Sequence, residues 1–405
     1  MNFNMKMPGF EGFTITNVDK RESHIAIHIE MPIDEQVCPS CEALTRKVHD
    51  YRIQEIKHLK WFERLSVIYY RKRRYVCGEC DKRFPENTSF VQRYQRFSTE
   101  WNQVTKLRSI KGKTFKEVAE QANTSSNTVM RRFNEVAQKE IEKPKELPRV
   151  IAIDEYKGDT DAGMYQLIIA NAETREPIDI LPNRRKETIK HYLQQYGANV
   201  EIVVMDMSPS FKSAVKQALN RPFIIADRFH YCRYIYWGMD AVRRRIQKEW
   251  HAYDRKKCKR MRYVFYKRES ALNEAKTWYL ERYKSMSPEL KRAHELKESF
   301  CAWFDQAKEN GPAFISKTKE TLYAFYKEVE EANIPEFKKA IKTLQNWQPE
   351  ILNSFIYPYS NGFLEGINNR TKVLKRNAFG FKSFERFRAK ILLSNKFKEI
   401  GVHIG

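Results

Sequence analysis

The chain has no apolar run longer than a short strand. Its longest runs, such as Ile202–Met205 and Phe223–Ala226, fall far short of the roughly 18 residues a membrane-crossing helix needs. The first 30 residues mix Lys6, Glu11, Asp19, Lys20 and Arg21 with no apolar stretch of secretory length, so the expectation is a soluble, cytoplasmic protein. Cysteine is scarce: seven in 405 residues, four of them in two tight pairs and the others scattered at 232, 258 and 301. In a reducing compartment that argues against a disulfide framework and for metal binding. Acidic residues are also in deficit, 51 against 74 Lys plus Arg, for a formal net charge of +23. An excess of this size points to a polyanionic partner and exceeds what small acidic substrates need. With 41% hydrophobic and 13% aromatic residues the charge belongs to a folded protein, not a basic tail.

The two pairs are Cys38-Pro-Ser-Cys41 and Cys77-Gly-Glu-Cys80. Each forms a turn that aims two thiolates at one tetrahedral ion, the geometry Zn(II) prefers. Between them Val67–Val76 alternates and is rich in β-formers, as a ribbon strand delivering the second pair would be. His49 and His58 read as surface residues rather than ligands. Arg71, Lys72, Arg73 and Arg74 sit beside the site, and Arg71 and Arg73 are candidate phosphate contacts, a solvated edge strand being the alternative.

Residues 98 to 140 read as helical. Ser98 is a cap, and Trp101, Val104, Leu107 and Ile110 share one face. Thr114-Phe-Lys-Glu117 has capping-box form, with Phe115, Val118, Ala119 and Ala122 inward on a short helix. Asn123 suits a left-handed turn, and Ser125 or Ser126 caps a second helix with Val129, Phe133 and Val136 inward and Asn127, Thr128, Arg131 and Arg132 outward. A helix-turn-helix needs this arrangement to place its second helix in the major groove, although an αα-hairpin of a bundle would read the same way.

The segment 143–148 is a charged, proline-bearing linker. After it, Val150–Asp154, Met164–Ala170 and Pro177–Leu181 read as strands, followed by a helix from about 187 to 196. Glu201–Asp206 is again an apolar strand ending in Asp, a helix covers about 210 to 219, and Phe223–Asp227 repeats the device. In an α/β sheet the carboxyl ends of neighbouring strands share an edge, so Asp154, Asp206 and Asp227 converge on a cleft where Mg(II) offsets their repulsion. Capping of the next helix is the alternative for any one of them. Later, Glu365, Asn368 and Lys372 share one helix face, with Leu364, Ile367 and Leu374 on the other.

Two tracts hold most of the excess charge. Residues 228–268 contain 14 Lys or Arg, Arg243, Arg244 and Arg245 among them, against 3 Asp or Glu, with ten aromatics interleaved, including Tyr231, Tyr234, Trp237, Trp250 and Tyr263. Residues 370–398 contain 10 basic residues, Lys372, Lys375 and Arg376 included, and 1 acidic. Cations beside stacking aromatics suit distorted or unpaired DNA ends; an amphipathic helix with its aromatics in the core accounts for some of them equally well.

The zinc pairs, the helix-turn-helix, Ile153-Asp154-Glu155, Val204-Met-Asp206, Asp227-Arg-Phe-His230, and Asn361-Gly-x-x-Glu365-Gly-x-Asn368 with Lys375-Arg376-x-x-Phe379-Gly380-Phe381 together resemble bacterial insertion-sequence transposases of the DDE class, of the ISL3 type. The resemblance implies an α/β RNase H-like catalytic domain with a long all-helical insertion, preceded by a zinc ribbon and a helical helix-turn-helix domain. The corresponding segments are 1–92, 93–142, 143–227, 228–358 for the insertion, and 359–405 carrying the Glu. It implies Asp154, Asp206 and Glu365 as ligands of two Mg(II) or Mn(II) ions, with Asp227 and His230 in support; Asp206 and Asp227 compete for the second position. One Zn(II) on Cys38, Cys41, Cys77 and Cys80 would be structural. The expected DNA contacts are Asn127, Thr128, Arg131, Arg132, Arg71, Arg73, Arg243, Arg244, Arg245, Asn368, Lys372, Lys375 and Arg376. The expected partners are double-stranded DNA, as terminal inverted repeats and target, and a second copy of the chain when bound to DNA, in a nucleoid-associated setting without membrane contact. A nuclease without strand transfer and a non-catalytic DNA-binding regulator are the competing readings.

Overall fold

The computed structural model describes residues 12–88 and 90–397, which form two compact units. The first comprises residues up to 142 together with 376–379 and residues from 389 on. Its strands are β1 (Thr14–Lys20), β2 (Ile25–Glu30), β3 (Gln36–Val37), β4 (Leu44–Thr45), β5 (Val48–Trp61), β6 (Arg64–Val76) and β7 (Arg83–Pro85). The main sheet runs β1-β2-β6-β5, with β7 also on β6. The long stretch between the cysteine pairs is largely the β5–β6 hairpin, closed by Phe62 and Glu63, both at positive φ (47° and 61°). Two such residues in a row make the turn whose twist matches that of the flanking strands. Ile27, Ile29, Ile56, Ile68 and Tyr70 form the core of this sheet.

Arg73, expected at a phosphate, points inward instead. Its side chain is 4% exposed and pairs with Glu86 and Glu30, both at 3.4 Å, while its guanidinium also donates to the Met31 carbonyl at 2.6 Å. The inward positions of β6 change phase along the strand, from Ser66, Ile68 and Tyr70 to Arg73 and Tyr75. Arg71 remains about half exposed, lying over the Tyr51 ring.

Three helices follow: α1 (Thr99–Lys111), α2 (Phe115–Gln121) and α3 (Ser126–Glu140). Ser98, Thr114 and Ser125 each accept a backbone N–H of the first turn, and Asn123 takes φ 48°, so the caps and the turn are as the sequence predicts. Val118, Ala119 and Val129 pack together. Ile110 and Phe133 pack with Ala389 and Leu393, which the sequence assigns to the last catalytic segment. The fully buried Lys390 donates to the carbonyls of Ser109 (2.7 Å) and Gly112 (2.9 Å) at the end of α1. On α3, Asn127 and Arg131 are exposed. Thr128 is a correction: it is buried, with its hydroxyl against the Ser125 cap at 3.1 Å. Arg132 is turned toward Glu135 at 2.6 Å.

The second unit comprises 143–375 and 380–388. It opens with β8 (Val150–Thr160), β9 (Gly163–Asn171), β10 (Glu176–Leu181), α4 (Lys186–Tyr196), β11 (Ile202–Met205), α5 (Pro209–Ala218) and β12 (Phe223–Ala226). The sheet order is β10-β9-β8-β11-β12. The first three strands pair antiparallel, while β11 lies parallel to both β8 and β12. An all-helical stretch follows: α6 (Arg228–Ile246), α7 (Ala252–Arg260), α8 (Tyr263–Tyr266), α9 (Glu274–Met286), α10 (Pro288–Asn310), α11 (Ile315–Ala332), α12 (Pro335–Asn346) and α13 (Gln348–Ile356). Then come α14 (Gly362–Asn377) and α15 (Phe384–Lys396), each with its last residues in the first unit. Ile153, Val203 and Met205 of the sheet share one apolar core with Met239, Leu296, Phe300 and Phe337 of the insertion, so the two are packed as a single body. No helix among the described residues is long and apolar enough to cross a membrane.

The arginine triplet of α6 is largely committed within this body. Arg243 is 3% exposed and donates to Asp240 and Gln247; it is a buried clamp, not a DNA contact. Arg245 bridges Glu289 and Glu336. Arg244 pairs with Asp240 but keeps 65% of its side chain in solvent.

Candidate metal centres

The cysteine centre is built from two matching turns. Glu42 and Asp81, each the residue after a second cysteine, take positive φ of 61° and 54°, and the amides of Cys38 and Cys77 donate to Ala43 and Lys82 across them. The four sulfurs converge, with Sγ–Sγ distances of 3.6 Å for Cys38–Cys80 and 3.5 Å for Cys41–Cys77. Four thiols within 4.8 Å of one another, two of them buried, fit a tetrahedral Zn(II). His49 and His58 are not among them; His58 faces the Ser98 hydroxyl at 2.8 Å.

The carboxylate centre follows from strand register. Ile153 pairs with Met205, and Met205 with Ala226, so the next residues form a row across three neighbouring strands: Asp206 and Asp227 just past the ends of β11 and β12, and Asp154, expected from the sequence to end its strand, within β8, which runs on to Thr160. Burial is the main reason their acidity weakens. Asp206 is pushed up to about 7 by burial and then by the charges of Asp154 and Asp227. Asp154 rises to about 6 by burial, with Glu155 and Asp227 adding to it. Asp227 is raised by burial too, with Glu365 as a further repulsive charge. Half-buried acids that hold one another protonated are a donor set suited to a divalent cation.

His230 joins the row from the first turn of α6. Its Nε2 lies 3.0 Å from Asp206 and 3.9 Å from Asp227, and burial holds its pKa down at about 4. Arg233 approaches Nδ1 at 3.1 Å. A guanidinium only donates, so Nδ1 accepts and the neutral ring carries its proton on Nε2, toward Asp206.

Helix α14 covers the row from another side. Asn361 donates to the Ile153 carbonyl at 3.3 Å and also bonds Asp206. Asn368, expected at DNA, is buried and donates to Asp154 at 2.7 Å; it orients a carboxylate. Lys372 is exposed on the same face and its charge reaches Asp154. Lys375 pairs with Asp159 at 2.6 Å, and Arg376 is exposed. Glu365 is exposed and lies outside the closest set of potential ligands, which is Asp206, Asp227 and His230. The sequence reading gave Arg233 no part in the site and Asn361 none beyond its motif. The i, i+3 spacing of His230 and Arg233 was the available signal for the first.

Family models match the whole length of this arrangement. The zinc finger of IS204/IS1001/IS1096/IS1165 transposases matches residues 34–80, the helix-turn-helix domain of the ISL3 transposase family 86–137, and the ISL3 DDE transposase model 151–391. The chain belongs to the ISL3 family of transposases. Across 95% of both chains this transposase is 23% identical to the transposase for insertion sequence element IS1001 of Bordetella parapertussis. A protein of Lactococcus lactis subsp. lactis named as an ATP-dependent protease is 42% identical over 83 residues, 20% of this chain and 27% of its own. That stretch is a fifth of the transposase, and the name is not carried over.

Proposed function

We propose that this transposase binds the terminal inverted repeats of its element and cuts and joins DNA phosphodiesters with divalent-metal assistance in an RNase H-like domain. The observation that carries the reading is the row of Asp154, Asp206 and Asp227 in register across three neighbouring strands. The strand order, three antiparallel strands continued by two parallel ones, supports the RNase H-like assignment. Asp206 and Asp227 would hold Mg(II) or Mn(II), with Asp154 beside them and Glu365 approaching from α14. Divalent ions held there would supply the Lewis acidity needed to activate a water or a DNA 3′-hydroxyl and to stabilise the leaving oxygen of a phosphodiester displacement. Asn368 and His230 hold Asp154 and Asp206 in place. A Cβ at Gly366 would meet nothing within 4 Å, so packing does not require glycine there, and its bareness leaves room for a backbone beside Glu365. Asn127, Arg131 and Arg71 supply exposed contacts for recognition, and pairing of two element ends calls for a homodimer on DNA.

The test is nicking of DNA carrying the element's ends in Mg(II) or Mn(II). Wild-type protein should cut, and Asp206→Ala should lose cutting by at least about a hundredfold while binding the same DNA. Full activity in that variant refutes the role given to Asp206. Tight binding by wild-type protein with every strand intact in both metals refutes the enzymatic reading.

A further inference from the structure

The residues that touch the carboxylate row continue along α6 into an exposed aromatic stripe. Phe229, Arg233 and Trp237 are spaced i, i+4 and i+8 on that helix and so share one face. Phe229 is 67% exposed and Trp237 51%, whereas Tyr231, Ile235, Met239 and Val242 on the opposite face are buried. The Arg233 guanidinium lies over both exposed rings, 5.5 Å from the centroid of Phe229 and 4.5 Å from that of Trp237. Tyr234 abuts Trp237 edge-on at 5.4 Å and steadies it. The same guanidinium reaches His230, whose far nitrogen is 3.0 Å from Asp206. A continuous series of contacts thus joins the carboxylates to Trp237.

We infer that Phe229, Arg233 and Trp237 form a platform on which an unpaired base of the reacting strand stacks while its phosphodiester sits at the carboxylates. This rests on the DNA-cutting reading and adds the form of the substrate: a strand opened beside the scissile bond. Three features select a nucleotide as the occupant. A base has a flat π face matched to an indole or phenyl ring, and stacking of this kind tolerates any base. The cation between the rings suits a ligand that brings a phosphate with each base, whereas an apolar protein surface would bury that charge unpaired. The stripe also opens a tract with 14 basic residues against 3 acidic. A duplex stacks its bases inside, so both rings can be covered by a base only where the strand leaves the helix.

The probes are a fully paired 24-base-pair duplex and the same duplex with a four-nucleotide unpaired flap carrying 2-aminopurine at its first position, without added divalent metal. Wild-type protein should bind the flapped DNA about tenfold tighter than the paired DNA and quench the 2-aminopurine. Trp237→Ala and Phe229→Ala should each erode that preference, and the double variant should abolish it, with affinity for paired DNA unchanged; Trp237→Phe should retain most of it. Equal affinity of the wild type for both probes, or a preference that survives in the double variant, overturns the inference. Metal-dependent nicking by a wild type that shows no flap preference would sink the platform and leave the cutting reading standing. A flap preference that depends on Trp237, without nicking, would do the reverse.

Discussion

The cysteine centre and the carboxylate centre solve the same problem, gathering like donors around a cation, by opposite means. Each cysteine pair is delivered by a six-residue turn closed by its own backbone hydrogen bond and one left-handed residue. The aspartates come from three strands, and are steadied by asparagines more than 150 positions away on α14. The first centre organises the fold around it. The second burdens its fold: buried acids raised to about 6 and 7 oppose the packing that assembles them until a cation arrives. The cysteine turns are local, the second following directly on β6, whereas the aspartate row depends on the register of three strands.

Removing the cysteine centre should break that contrast most severely. Cys38→Ser with Cys77→Ser should lose the single bound zinc by metal analysis and expose residues 36–47 to limited proteolysis, since structural zinc is worth on the order of 10 kcal/mol to such folds. The β5–β6 hairpin should survive, because Ile56, Ile68 and Tyr70 form a separate core. Next in size, Arg73→Ala strands Glu86, which is 3% exposed, and should cost about 3–5 kcal/mol in denaturant unfolding.

The carboxylates should behave in the opposite sense. An acid whose folded pKa lies above its unfolded value binds extra protons in the native state, so its contribution is present at low pH and lost as pH rises through about 6 to 7. Metal-free protein should therefore lose stability from about pH 4 to about pH 7, and the stabilisation added by Mn(II) should grow over the same interval. Asp206→Asn should raise the Tm of metal-free protein by about a few degrees at pH 8 and leave it nearly unchanged below about pH 4; a Tm that falls at pH 8 would mean the aspartates are not in mutual repulsion. The smallest effect belongs to Arg71→Ala: stability within about 0.5 kcal/mol of wild type, but weaker DNA binding with a salt dependence shallower by about one ion.

What could be read from the sequence follows the same division. Cys-x-x-Cys spacing, the Ser98, Thr114 and Ser125 caps and the aspartates that follow β11 and β12 all depend on neighbours within a few residues and stand in the structure as read, whereas Asp154, read as ending its strand, lies within β8. The first two strands and the Val48–Trp61 half of the hairpin were not read, although Ile25, Ala26, Ile27 and Ile29 of β2 are apolar and both pairs close through short turns. Charge alone could not tell Arg71 from Arg73, or Arg244 from Arg243: two residues apart on a regular strand share a face, and only the change of phase in β6 after Tyr70 separates the first two, while a helix rotates 100° per residue and so separates the second. Arg73 is held inward by Glu86, and Arg243 by Gln247 together with Asp240, which Arg244 reaches from the solvent side. Glu365 was read from its motif, and its separation from the closest ligand set is a matter of side-chain placement that no spacing encodes.

One contact has a consequence for how the protein is made. The carbonyls that end α1 are met by Lys390, 278 positions beyond Gly112, and Ala389 and Leu393 complete the cluster around Ile110 and Phe133. A ribosome emits the three-helix segment long before that patch, so the nascent chain carries its DNA-reading helices with an open apolar seam throughout translation of the catalytic core. Closure of that seam therefore waits until the segment around Lys390 has been made.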